Sequence, residues 1–238
     1  MQSYIDALIA HDPTKIKTSA SLKYSENGVE SKLGETVWKT AKELVADERL
    51  DFADPMEGNV ASQFVFNEMN GMPVIYQVRL KVVADEITEI ETMAVRRADA
   101  ANSFFDPAKM KPEAVFLQPI PPEMRMKREE LKAITELYLE YLEGDKTGRE
   151  VPFDEGCKRY ENGRVTASGL NSFNSQRWNF DLTHRILVVD EEAGITWGLF
   201  PFQQSARPLV VGEAFKIIGG KIMMIQAVMA YQPVAFWK

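Results

Sequence analysis

One cysteine, two histidines and no long apolar run are the sparse features of this chain of 238 residues. Cys157 has no second cysteine to pair with, so an internal disulfide is excluded, which suits a reducing cytoplasm. A lone cysteine of this kind reads as a small buried hydrophobe rather than a nucleophile. His11 and His184 are far apart, and no His/Cys/Asp/Glu group has metal-ligand spacing, so no metal is expected. There is no Gly-x-Ser-x-Gly, which removes the hydrolase elbow, and no Gly-x-Gly-x-x-Gly or phosphate loop. No apolar stretch reaches spanning length, so no membrane helix is expected. The start, Met1-Gln-Ser-Tyr-Ile-Asp, lacks the basic and apolar segments of a leader. Lys and Arg total 28 against 35 Asp and Glu, a net charge of -7, which argues against a nucleic-acid partner. What remains is cofactor-free acid–base chemistry by Asp, Glu, Tyr, Lys, Arg or His in an apolar pocket.

What is present is a repeat. Gly212 to Val228 reads as two strands rich in β-branched and aromatic residues around a Gly219-Gly220 turn. The same unit occurs at Gln77 to Met93: Leu80-Lys81-Val82 matches Phe215-Lys216-Ile217, an offset of 215 − 80 = 135. Glu26-Asn27-Gly28 recurs as Glu161-Asn162-Gly163 at the same offset, since 161 − 26 = 135. A period this long implies two domains rather than a solenoid. The expected division is 1–98, a linker over 99–126 rich in Pro and Met, and 127–238.

Each half opens on a helical pattern: Tyr4, Ile5, Leu8 and Ile9, and then Leu131 to Leu142 stopped by Gly144. A polar, irregular stretch with the Asn-Gly turn follows. Segment 34–46, with Val37, Trp38, Ala41 and Leu44, has helical period and reads as a second helix over a pocket. Strands are expected at about 59–68, 72–83, 86–96, 183–190, 195–203, 208–218 and 221–231. Helices gathered before an antiparallel sheet make an α+β arrangement. Strands apolar on both faces, such as Ile222 to Met229, need cover on both, by helices on one side and the other copy's sheet on the second.

The residues Glu213-Ala-Phe-Lys-Ile217, Gly220 to Val228, Arg79 to Val82 and Ile87 to Thr92 resemble the nuclear transport factor 2-like superfamily, of the polyketide-cyclase-like (SnoaL-like) kind. The resemblance implies two tandem cone-shaped domains, each with helices on a curved antiparallel sheet around a pocket. Such domains pair through their sheet backs; a tandem chain can supply that pairing internally, and a homo-oligomer stays open. Within the group the chain is similar to the bacterial lyases that release formaldehyde from lignin-derived diarylpropane diols without a cofactor. That similarity implies a small aromatic substrate and a quinone-methide route. A binding protein for hydrophobic ligands, or an isomerase or dehydratase of the same superfamily, is the alternative.

Candidate residues come from contrast between the halves. Glu91 and Arg79 correspond to Gln226 and Ala214, so the first half carries a titratable pair the second lacks. Glu91 is the candidate base, with Arg79 and Tyr24 as stabilisers of oxygen charge. A structural ion pair, and a packing role for Tyr24, are the competing readings. Asn27, Trp38, Lys81 and His184 are the candidates for substrate binding, with a turn role for Asn27 and an exposed role for Lys81 as alternatives.

Overall fold

The computed structural model describes residues 1–238 except 46–48, 101–103, 145–149, 175–185, 203–208 and 232–238. Strands account for about half of the chain and helices for under a quarter. The α+β expectation is therefore corrected to a mostly β architecture of two mixed sheets, with five short helices among the described residues.

The first half runs α1 (Gln2–Ile9), β1 (Thr18–Glu26), β2 (Val29–Glu30), α2 (Val37–Thr40), β3 (Ala41–Leu44), β4 (Leu50–Asp54), β5 (Asn59–Glu68), β6 (Pro73–Val83) and β7 (Glu86–Val95). After α3 (Ala114–Leu117) come α4 (Arg128–Leu142), β8 (Phe153–Glu161), β9 (Arg164–Ser168), α5 (Leu170–Asn174), β10 (Ile186–Asp190), β11 (Ile195–Phe202), β12 (Leu209–Ile218) and β13 (Lys221–Tyr231). The expected hairpin strands are present. Pattern reading also misses β1, β2, β4, β8 and β9: β1, β8 and β9 are polar and partly exposed, and β2 and β4 are too short to carry a pattern. The helix expected over 34–46 is a single turn, α2, followed by β3; Ala41 leaves the helix at φ −60 and ψ 136.

Both sheets follow one order. The first is β2-β1-β7-β6-β5 with β3 and β4 on β5, and the second is β9-β8-β13-β12-β11-β10. β1 runs parallel to β7 and β8 parallel to β13; the other pairs are antiparallel. Tyr24 pairs with Ile90, and Arg159 with Ile225, each 135 residues on. Gly58 and Gly194, both at positive φ, match after one extra residue, since 194 − 58 = 136. A Cβ on Gly58 would lie 2.3 Å from the Val82 carbonyl oxygen, and one on Gly194 2.5 Å from that of Ile217.

The sheets stack back to back. Phe52, Ile75, Met93 and Val95 of the first meet Trp197, Leu199, Val210 and Val228 of the second in one core. A second core lies between α1 and the first sheet, and a third between α4 and the second. The central layer also holds amides: Gln63 Nε2 donates to Gln77 Oε1 (3.3 Å) and to the Gly212 carbonyl (3.3 Å), and Gln226 Nε2 donates to Gln63 Oε1 (3.1 Å). Satisfied amides of this kind fix the register of an otherwise apolar face.

At the rim the halves clasp each other reciprocally. Asp54 accepts from the Val189 N–H (3.0 Å), and Asp190 accepts from the Ala53 N–H (2.9 Å). Arg128, at the start of α4, adds a bidentate pair to Asp54 at 2.8 and 2.9 Å. The segment after β7 is packed rather than free. Phe116 and Met110 enter the central core, and the buried Lys216 ammonium donates to the Gln118 carbonyl (2.9 Å) and the Ala193 carbonyl (2.5 Å). Among the described residues no helix is long and apolar enough to cross a membrane.

Candidate functional site

The expected site residues do not converge on one pocket. Tyr24 and Trp38 lie in the core between α1 and the first sheet, both almost wholly buried. The Tyr24 hydroxyl is 3.2 Å from Glu26 Oε2 and 3.3 Å from Thr36 Oγ1. Glu26 in turn accepts from Thr36 Oγ1 (2.6 Å) and the Val37 N–H (3.2 Å). Burial, and then the Glu26 charge, hold the Tyr24 phenol well above its ordinary range, so it keeps its proton. Trp38 packs edge-on against Tyr4, with centroids 5.5 Å apart. It is a wall of the core, not part of a lid.

Asn27 is spent on the backbone. At φ 51 it occupies the left-handed region, and its amide brackets β7, donating to the Ala94 carbonyl (3.1 Å) and accepting from the Ala94 N–H (2.8 Å). Asn162 does the same to Met229, at 2.8 and 2.9 Å. The repeated Glu-Asn-Gly thus has a structural cause: a turn residue that tolerates positive φ and pins the parallel strand. His184 lies outside the described residues.

Arg79, Glu91 and Lys81 do share a neighbourhood, but it faces the other half rather than the first half's interior. Arg79 is opposite Glu91 on neighbouring strands. Its Nε donates to Glu91 (2.6 Å), Nη1 to Asn59 (2.8 Å) and Nη2 to Glu89 (2.5 Å). The residues at the same face of β6 and β7, Ile75 and Met93, belong to the core between the sheets. An arginine this well paired is what a buried guanidinium requires in order to be tolerated. Lys81 Nζ donates to the Glu57 carbonyl. Arg79, Lys81 and Glu89, with Arg128 and Lys132 of α4 and Leu187 of β10, are among the residues that line an open cleft of about 440 Å³ where the halves meet; Glu91 is not.

A different constellation occupies the interior of the second half. Glu213 of β12 is 3% exposed, flanked in sequence by Gly212 and Ala214. Tyr138 of α4 reaches down and donates to Glu213 Oε1 (3.3 Å). Arg159 of β8 donates from Nη1 to the Tyr138 oxygen (3.0 Å) and from Nε to Thr166 Oγ1 (3.1 Å). Glu161 pairs with Arg159 at 3.3 Å, and its side chain, 18% exposed, is the solvent end of the chain of groups. The side chains packed around these groups are aromatic. Phe153 stacks on Phe173 at 4.1 Å, Phe215 lies 5.0 Å from Tyr138, and the Arg159 guanidinium sits 5.8 Å from the Phe173 ring centre.

The electrostatics follow from this placement. Burial pushes the Glu213 carboxyl up to about 8, with Arg159 pulling the other way and Glu161 reinforcing the rise. Burial works against the Arg159 charge, but Tyr138, Glu161 and Glu213 outweigh it, so the guanidinium stays charged. The Tyr138 phenol is raised mainly by burial and stays protonated. Cys157 nearby is pushed up to about 12 by burial, which makes it an inert thiol.

By the 135-residue correspondence Arg159 stands where the first half has Tyr24, Glu161 where it has Glu26, and Glu213 where it has Val78. Both interiors carry a glutamate at the Glu26/Glu161 position, and the second half adds Arg159 and Glu213, which runs opposite to the contrast read from Arg79 and Glu91. The signal was present in the sequence. Glu213 is the one carboxylate of a largely apolar strand, Leu209 to Ile218. Among the described residues no group of three His, Cys, Asp or Glu is placed to hold a metal ion.

Comparison with known proteins gives partial matches. The family model of a domain of unknown function, DUF8021, matches residues 124–229, which is the half that contains Glu213. No curated protein matches the sequence. Among solved structures the chain is similar to a protein from Kribbella flavida described as a "putative ketosteroid isomerase", with 14% identity, 44% of this chain and 83% of that chain covered, and a TM-score of 0.36.

Proposed function

We propose that this protein is an acid–base enzyme for a small apolar molecule, and that the interior of its second half is the site. The observation that carries the proposal is a wholly buried carboxyl, Glu213, in contact with a phenol, Tyr138, that a buried guanidinium, Arg159, holds in place. A carboxyl with its pKa near 8 is close to evenly divided between acid and base just above neutrality, which suits proton transfer in either direction. In its ionised form Glu213 takes a proton from carbon and returns it at another position of the substrate. Arg159 and Tyr138 supply fixed donors for an oxygen that gains negative charge as that proton leaves. The rings of Phe153, Phe173 and Phe215 packed in this core match a flat, hydrophobic substrate.

The same groups serve a formaldehyde-releasing cleavage of a diarylpropane diol, in which protonated Glu213 assists loss of a benzylic hydroxyl. Isomerisation needs fewer steps and is the reading favoured here. The numerical correspondences across the chain support an origin in one module used twice, of the kind the sequence resembles.

The experiment is a solvent-deuterium assay. Aromatic ketones with an acidic C–H, and lignin-type diols in parallel, are incubated with the protein in heavy water without added cofactor. Deuterium incorporation that disappears in Glu213→Gln supports the isomerase reading. Formaldehyde from the diols supports cleavage. Undiminished activity in a folded Glu213→Gln protein removes Glu213 from the chemistry.

A further inference from the structure

We propose that the cleft between the halves binds a small organic anion with an apolar face, of the aryl carboxylate class, at a site separate from Glu213. Two units that meet only through folding each contribute cations to it. The first sheet gives Arg79 and Lys81, and α4 gives Arg128 and Lys132, four residues apart and so on one face of the helix. Ile186 and Leu187 form an apolar wall beside them.

The charges differ in how firmly they are engaged. Arg79 is bound to Glu91, Glu89 and Asn59, and Arg128 to Asp54, so these two form a rigid polar floor. The two lysines keep donors to spare. Lys81 gives one N–H to the Glu57 carbonyl and lies 4.0 Å from the Glu57 carboxylate, so its three-donor ammonium can still meet an entering acceptor, and Lys132 lies 3.6 Å from the exposed Glu129. Exposed pairs at such distances contribute little and exchange readily for a better partner. The acids that line the cleft, Glu57 and Glu89, have side chains 53% and 36% exposed and stand at its rim. A carboxylate entering between the two ammonium groups therefore gains two charge-assisted contacts without uncovering a buried acid. The volume, about 440 Å³, accepts a single ring, and the aliphatic wall gives the ring a surface. Because its lysines come from different halves, the ligand bridges them and stabilises their packing.

The test uses the full chain at low ionic strength, with benzoate as the probe, benzyl alcohol as its uncharged counterpart and inorganic phosphate as an anion without a ring. Benzoate is expected to raise Tm in a concentration-dependent way and the alcohol is not. Lys81→Met combined with Lys132→Met is expected to weaken benzoate binding by about tenfold or more, as loss of two charged contacts implies. Each single variant serves as a folded control if the double variant is unstable. A benzoate response unchanged in these variants, or no response at all, overturns the site. An equal response to phosphate overturns the aryl carboxylate class.

Discussion

Replacing Glu213 by Gln keeps the shape and the contact with Tyr138 but removes a titration, and the consequence for stability can be worked out. In the folded protein the carboxyl holds its proton up to about pH 8, against an ordinary value of 4.5 once unfolded. Between those values the folded state carries one more proton than the unfolded state, so stability falls as pH rises. The contribution is complete below the unfolded pKa, shrinks across the interval and is gone above the folded one. At about 1.4 kcal/mol per pH unit, the wild type should lose roughly 4 kcal/mol relative to Glu213→Gln between pH 5 and 8. Titrating groups that do not interact with Glu213 cancel in the difference, and Arg159 and Tyr138, which do interact, stay protonated across this range. Urea unfolding of both proteins at unit pH steps measures it directly. Two curves that stay parallel from pH 5 to 8 would show that Glu213 ionises normally and refute the reasoning.

Further outcomes follow from the placement of other residues. Asp54→Ala removes the acceptor of Arg128 and of the Val189 N–H and should cost about 3–5 kcal/mol in urea unfolding. Burial opposes the Asp54 charge, but Arg128 and two backbone N–H groups hold its carboxyl below the ordinary range. Its contribution is therefore present above that range and lost as pH falls through the depressed value, and Asp54→Asn should flatten the acid limb of the stability curve. Asn27→Ala gives up two hydrogen bonds and a tolerated left-handed backbone, and should cost about 2–3 kcal/mol without changing the activity of the folded protein. Gly58→Ala, with its Cβ driven towards the Val82 carbonyl, should lower stability by roughly 2–4 kcal/mol. Glu91→Gln should reduce stability by about 2 kcal/mol, since Arg79 retains Glu89 and Asn59, and leave turnover intact; loss of turnover in a stable Glu91→Gln protein would return that pair to the chemistry.

The hairpin strands were legible because residues apolar on both faces can only be strands covered on both sides. β5, β6, β12 and β13 fall within a residue or so of where the pattern puts them. β1 was not legible: Thr18-Ser-Ala-Ser-Leu-Lys-Tyr-Ser-Glu26 alternates weakly, and its strand state comes from pairing with β7 far along the chain. Tertiary pairing outweighs local propensity there, and such strands are why the chain is mostly β. The register partner of Arg79 was readable from the hairpin, but its direction was not. In a strand, neighbouring residues point to opposite faces, and only the second sheet decides which face is the interior. That parity places Arg79 between the sheets and Tyr24 in the helix-covered core. Glu213 needed one more fact that spacing does not carry, namely that Tyr138 and Arg159 arrive beside it from a helix and a strand more than fifty residues away.

Selective carbon labelling of glutamate side chains, with the Glu213 signal assigned by its absence in Glu213→Gln, allows the carboxyl to be titrated by NMR in the folded protein. A midpoint near 8, shifted by Arg159→Met, is the expected result. A midpoint in the ordinary carboxylate range would contradict the account.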